Sequence, residues 1–132
     1  MKVIITEWAL QSYIDLSTTR TFTDAQYWNT IRPDVKLLKT FPAPTKFQLN
    51  QFWSPATIMG QTIADGFKMK WDGMGTGNRN ELRLPVALLN GTAYLCEAYQ
   101  KTNDRQETRA LTRFEGQIEN IVLGKWIKRG EL

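Results

Sequence analysis

Histidine is absent from this 132-residue chain, and Cys96 is its single cysteine. The first absence excludes a Ser/His or Cys/His relay and removes the commonest zinc ligand together with the easiest base at neutral pH. Any proton transfer therefore falls to Lys, Tyr, Asp or Glu. The second excludes an internal disulfide, and a lone thiol with no histidine beside it reads as a small buried residue rather than a nucleophile. No stretch approaches the ~20 consecutive apolar residues of a membrane helix. Met1 to Leu16 also lacks a basic segment followed by an apolar run. The expectation is a cytoplasmic protein with no membrane partner.

What is present suits one folded domain spanning residues 1–132. The length supports one core but not two, and 42% hydrophobic with 23% charged residues is far from the composition of disordered chains. The net charge of +4 is spread evenly: residues 1–62 carry six bases against four acids, and residues 63–132 carry eleven against nine. Such balance does not by itself point to nucleic acid. Clustering of the bases on one face would, so periodicity decides.

Lys2 to Thr6 reads as a strand, and Thr6 can cap a helix that starts at Glu7 and carries Trp8, Tyr13 and Leu16 at helical spacing. Thr23 with Gln26 forms a capping-box signature for a second helix presenting Tyr27, Trp28, Ile31, Val35 and Leu38, which Pro33 should kink or divide. Residues 40–61 mix Pro42, Pro44 and Pro55 with Phe41, Phe47, Phe52 and Trp53, the composition of an ordered but irregular excursion whose aromatics pack on the core.

From Ile63 to Trp71 the pattern alternates, placing Ile63, Phe67, Met69 and Trp71 on one face and Ala64, Gly66, Lys68 and Lys70 on the other. Asp72 to Asn80 is a glycine-rich turn without the lysine and hydroxyl ending of a phosphate-binding loop, and reads as a flexible hairpin tip. Glu81 to Leu89 alternates again, with Leu82, Leu84, Val86 and Leu88 inward and Glu81, Arg83 and Ala87 outward, so that Arg83 joins the lysines. Asn90-Gly91 suits both central positions of a type I′ turn and leads into Thr92 to Tyr99. Pro85 cannot donate to a ladder and needs a bulge or an unpaired position. Asp104 and Glu107 look like the start of a closing helix with an apolar stripe at Leu111, Phe114, Ile118 and Ile121, and Arg105, Arg109 and Arg113 form a basic line on its other side.

This order is α+β: an N-terminal strand and two helices, a three-stranded antiparallel meander, and a closing C-terminal helix. It resembles the RelE/ParE superfamily of toxin–antitoxin modules. The resemblance rests on Phe67-Lys68-Met69-Lys70-Trp71, on Leu82-Arg83-Leu84, and on Leu95 to Lys101 before the last helix. It implies a RelE-like, metal-independent endoribonuclease with no cofactor, acting on messenger RNA at the ribosome and neutralised by a small antitoxin protein. On that reading Lys68, Lys70, Arg83 and Lys101 are catalytic. Lys68 or Lys70 is the base on the ribose 2′-hydroxyl, Arg83 stabilises phosphate, and Lys101 or Arg105 assists. Arg79, Tyr99, Arg105 and Arg109 contact RNA, Tyr99 by stacking on a base. Departures from the family are the missing histidine, no tyrosine after Tyr99, the long excursion at 40–61, and a basic tail at 124–132. They leave the acid for the leaving oxygen unassigned.

Paired strand lysines also serve as a solvated face, and the arginine line as a surface held by Glu107 and its neighbours. Trp8, Trp28, Trp71 and Phe114 lie on apolar stripes and read as core. The alternative function is a ParE-like gyrase inhibitor or an inactive binding module of the same fold.

Overall fold

The computed structural model describes residues 1–132. The order of elements is β1 (Lys2–Thr6), α1 (Glu7–Thr18), α2 (Asp24–Gln26), a π-helical turn (Tyr27–Ile31), α3 (Arg32–Lys36), two 3₁₀ turns (Leu37–Thr40 and Thr45–Gln48), β2 (Trp53–Ile58), β3 (Gln61–Met74), β4 (Asn80–Leu89), β5 (Thr92–Leu95), β6 (Tyr99–Lys101), α4 (Asp104–Val122) and β7 (Lys128–Glu131). The fold is α+β around a mixed seven-stranded sheet of order β2-β3-β4-β5-β1-β7, with β6 beside β4. β2 to β5 are successive antiparallel neighbours. β1 then joins β5 in parallel and takes β7 antiparallel on its free edge. The sheet is therefore wider than a three-stranded meander with one added strand.

Local chemistry explains the boundaries. Thr6 ends β1 and caps α1, its hydroxyl accepting from the Ala9 N–H at 3.3 Å while donating to the Leu95 carbonyl at 2.6 Å. Thr23 and Gln26 make the reciprocal capping box expected of them. Asn90 and Gly91 both take positive φ between β4 and β5, as a type I′ turn requires.

Two cores lie on opposite faces of the sheet. One gathers Met69, Trp71, Leu82, Leu84, Val86 and Leu95 beneath Phe22, Ile31, Val35 and Leu38 of the α2–α3 layer. The other gathers Ile63, Ala87, Cys96 and Tyr99 beneath Leu111, Phe114, Ile118 and Ile121 of α4. Fully burying one Leu or Phe contributes roughly 2 kcal/mol, so each face is a substantial source of stability. β3 approaches α4 closely at Gly66, where an added Cβ would stand 2.9 Å from the Phe114 ring.

Two bulges decide which side chains reach the α4 face. Ile63 joins the α4 core, not the face of Phe67, Met69 and Trp71, because Asp65 takes a left-handed φ of 61° where the β2–β3 register shifts. That irregularity inverts the expected alternation. The second bulge lies opposite Pro85. A residue's N–H and C=O point to the same side of a strand, and the Pro85 carbonyl accepts from Cys96 N–H at 3.0 Å, so its missing donor also faces the β5–β6 side. There the partner strand breaks. Val86 pairs with Leu95 but Arg83 with Tyr99, one residue more than regular pairing allows. The backbone N–H groups freed over the break bond to side chains: Ala98 donates to Ser12 Oγ at 2.9 Å and Glu97 to Gln117 Oε1 at 3.4 Å. The extra residue puts Tyr99 and Lys101 on the same face as Cys96, beneath α4.

Several expectations change. Residues 40–61 are not irregular throughout, since Trp53–Ile58 forms edge strand β2; Phe47, Phe52 and Trp53 are buried as expected. The basic tail contains β7. Trp28 is 60% exposed, not core, because the π turn inserts an extra residue and rotates it off the apolar stripe. The hairpin tip is pinned at its base, with Gly75 exchanging hydrogen bonds with the Gln26 side chain and Asn80 Nδ2 donating to Thr21 O. α4 is capped by Asn103, which accepts from Gln106 N–H, so Glu107 has no capping role.

Candidate functional site

The polar end of the α4 face carries the cations. Lys70 stands opposite Arg83 in the β3–β4 register, Glu81 opposite Lys101 in the β4–β6 register, and Lys68 lies one pleat further along β3. The first turn of α4 roofs this end and lowers one carboxylate into it. Glu107 Oε2 accepts from the Tyr99 hydroxyl at 2.6 Å and from Lys68 Nζ at 3.4 Å, while Glu107 Oε1 lies 3.8 Å from Lys101 Nζ.

The protonation states follow from this arrangement. Burial pushes the Glu107 carboxyl up, but the Tyr99 hydrogen bond with Lys68 and Lys101 outweighs it and holds the group below its ordinary value. Glu107 is ionised at neutral pH. Burial, and then the Glu107 hydrogen bond, push Tyr99 up, so its phenol remains a donor. Lys70 makes no ion pair; burial lowers it, and Lys68 and Arg83 lower it further. Asp72 and Glu107 oppose the lowering more weakly, so the net effect eases loss of its proton.

The structure brings together Lys68, Lys70, Arg83 and Lys101, all four residues expected to be catalytic. Their roles are not equivalent. Arg83 is 6% exposed and its Nη1 is committed to Asp72 Oδ1 at 3.0 Å and to the Trp71 and Leu82 carbonyls. Among the residues expected to contact RNA, Tyr99 is 4% exposed, so its ring offers no face for a base to stack on. Arg79 lies exposed at the hairpin tip, away from the cluster. Arg105 and Arg109 are exposed on α4 without ion pairs, whereas Arg113 is clamped to Glu97 at 2.9 Å. Glu107 does not serve the arginine line; it faces the lysines. Its signal in the sequence is its place one helical turn before Leu111, on the inward face of α4.

Two hollows adjoin the cluster. A polar cleft of about 360 Å³ runs between Thr57 and Met59 of the β2–β3 hairpin and Asp104, Glu107 and Thr108 of α4. A groove of about 420 Å³ lies beyond Tyr99, between α1 and the β5–β6 break, with Trp8, Ser12, Asp15 and Glu97 among its walls. Cys96 is fully buried and burial pushes its thiol up, so it is inert here. No family model, no curated protein and no solved structure matches this chain.

Proposed function

We propose that the chain is a RelE-like endoribonuclease that cleaves messenger RNA, at the ribosome, with a small antitoxin protein as its neutralising partner. The observation that supports this reading most is Lys70: an unpaired, half-buried ammonium between two further cations, on the open polar end of a sheet face. RNA cleavage by the 2′-hydroxyl needs a base, positive charge on the phosphate and an acid on the leaving oxygen. In this scheme neutral Lys70 takes the 2′-hydroxyl proton and the 2′-oxygen attacks phosphorus. The bond to the 5′-oxygen breaks, and that oxygen takes a proton from the Lys101 ammonium. The products are a 2′,3′-cyclic phosphate and a 5′-hydroxyl. Lys68 neutralises the phosphate. Arg83, held by Asp72 and the backbone, acts through Lys70 as a positioning residue that disfavours its protonated form. Arg105 and Arg109 extend the basic surface along the incoming strand.

The test is induced expression of the wild type and of a Lys68→Ala/Lys70→Ala/Arg83→Ala variant, following growth and mapping message 5′ ends. Growth arrest with new ends in the wild type alone supports the proposal. A second reading, a ParE-like gyrase inhibitor or an inactive binding module, is favoured by the carboxylates already sitting on Lys68 and Arg83. Arrest without new ends, together with inhibited DNA supercoiling in a gyrase assay, selects the gyrase inhibitor; neither effect leaves the binding module.

A further inference from the structure

The Tyr99 hydroxyl and the Lys68 and Lys101 ammoniums converge on one carboxylate from three strand positions. That is the donor set of an oxyanion site: one neutral O–H and two cations aimed at two oxygens a short distance apart. Neither lysine is a free surface group. Lys68 and Glu107 keep only 13% of their side-chain surfaces, so the pair is formed in a largely dry place. Nothing in the fold of α4 requires the contact, because the helix is capped by Asn103 and anchored by Leu111, Phe114 and Ile118. Glu107 also forms part of the wall of the polar cleft beside Thr57 and Thr108. Its carboxylate therefore has an open, polar space into which it can turn; Lys68, Tyr99 and Lys101 do not line that cleft while Glu107 is seated, so its turning out is the step that would expose them to a ligand there.

We propose that Lys68, Tyr99 and Lys101 form a phosphate-binding site that Glu107 fills as an internal anion, and that a polynucleotide phosphate binds by turning Glu107 out into the cleft. The ligand class rests on the RNA-cleaving reading above, but the site itself is tested without any cleavage. A phosphodiester offers two oxygens, as a carboxylate does, and the Tyr99 phenol donates equally to either. With Glu107 seated in most molecules, apparent affinity is reduced by the fraction in which the site is vacant. Cutting the tie thus strengthens binding rather than weakening it, the reverse of what removing a structural ion pair does.

The probe is a short, fluorescently labelled 2′-O-methyl RNA, which cannot be cut. Glu107→Gln keeps the shape and one acceptor oxygen for Tyr99 but removes the charge and replaces the second oxygen with an N–H donor, and is expected to bind the probe roughly tenfold more tightly than wild type. Inorganic phosphate should compete, and Lys68→Ala added to Glu107→Gln should abolish the gain. Asp104→Asn makes the same change of net charge in the same helical turn, and is expected to gain far less. Thermal melting verifies folding, with Glu107→Ala as the substitute if Glu107→Gln does not fold. An unchanged or weaker affinity in folded Glu107 variants overturns the proposal, and so does an equal gain in Asp104→Asn, which would reduce the effect to bulk charge. Tighter binding by Glu107→Gln with no cleavage by the wild type retains the site and removes the nuclease reading. Cleavage by the wild type with no gain does the opposite.

Discussion

The two faces of one sheet solve the burial of charge in opposite ways. On the α2–α3 face the single buried acid, Asp34, is fully used: it accepts from the Trp71 indole N–H at 2.9 Å and from Lys46 at 2.8 Å. Around it lie aromatic and aliphatic side chains, including Phe52, Trp53, Met69 and Leu84. On the α4 face, beyond Phe114, the sheet carries Lys68, Lys70, Arg83 and Lys101, and α4 contributes one inward carboxylate. Asp72 and Glu81 pair with Arg83 only from the exposed rim, and Lys70 has no partner. The first face is arranged for stability. The second leaves like charges together, which costs stability, and it is the face to which the proposed cleavage is assigned.

The sharpest separation of the faces comes from packing. Leu84→Ala, on the apolar face, is expected to lower unfolding stability by about 2–5 kcal/mol in a chemical denaturation series. Asp34→Ala comes next, at about 1–3 kcal/mol, because it strands the Trp71 N–H in the core. A loss below that range would mean that the acid is not holding the indole.

On the α4 face the effects are smaller and depend on pH. The Glu107 carboxyl titrates below its unfolded value of about 4.3. Its stabilising contribution is therefore present above that pH and is lost as pH falls through the folded value. Wild type is expected to lose stability more steeply between about pH 5 and pH 3 than Glu107→Gln, as read by melting temperature. Parallel curves would mean that the ionised Glu107 carboxylate adds nothing to folded stability. Smallest of all, Lys70→Met is expected to leave stability within about 0.5 kcal/mol of wild type, or to raise it, while message cleavage falls by about a hundredfold or more. A large loss of stability would make Lys70 a structural residue and dissolve the contrast between the faces.

Most of this arrangement is legible in the chain where a local rule and the tertiary packing agree. The Thr23/Gln26 capping box, the Asn90-Gly91 turn, the alternation of Leu82, Leu84 and Val86, and the shared face of Lys68, Lys70 and Arg83 follow from period and turn chemistry alone. Pro85 announces an irregularity, but only the pairing shows that it falls on the β5–β6 side and so delivers Tyr99 and Lys101 to the site. The misses have physical causes. Asp65 in a left-handed conformation inverts the parity of Ile63. β2 hides behind Pro55, tolerable because it is an edge strand, and β7 is a lysine, arginine and glycine segment that becomes a strand only through β1. Glu107 reads as a capping residue because acids are favoured in a first helical turn for that reason too. Its contact with Tyr99 and Lys68 exists only once α4 lies across the sheet.

Whether the cationic end of the α4 face cuts RNA, as proposed, is read directly with purified protein, translating ribosomes and a labelled message. Wild type is expected to give cleaved message ending in a 2′,3′-cyclic phosphate and a 5′-hydroxyl, and folded Lys70→Ala is expected to give none. Intact message with wild type, or equal cleavage by Lys70→Ala, would contradict it.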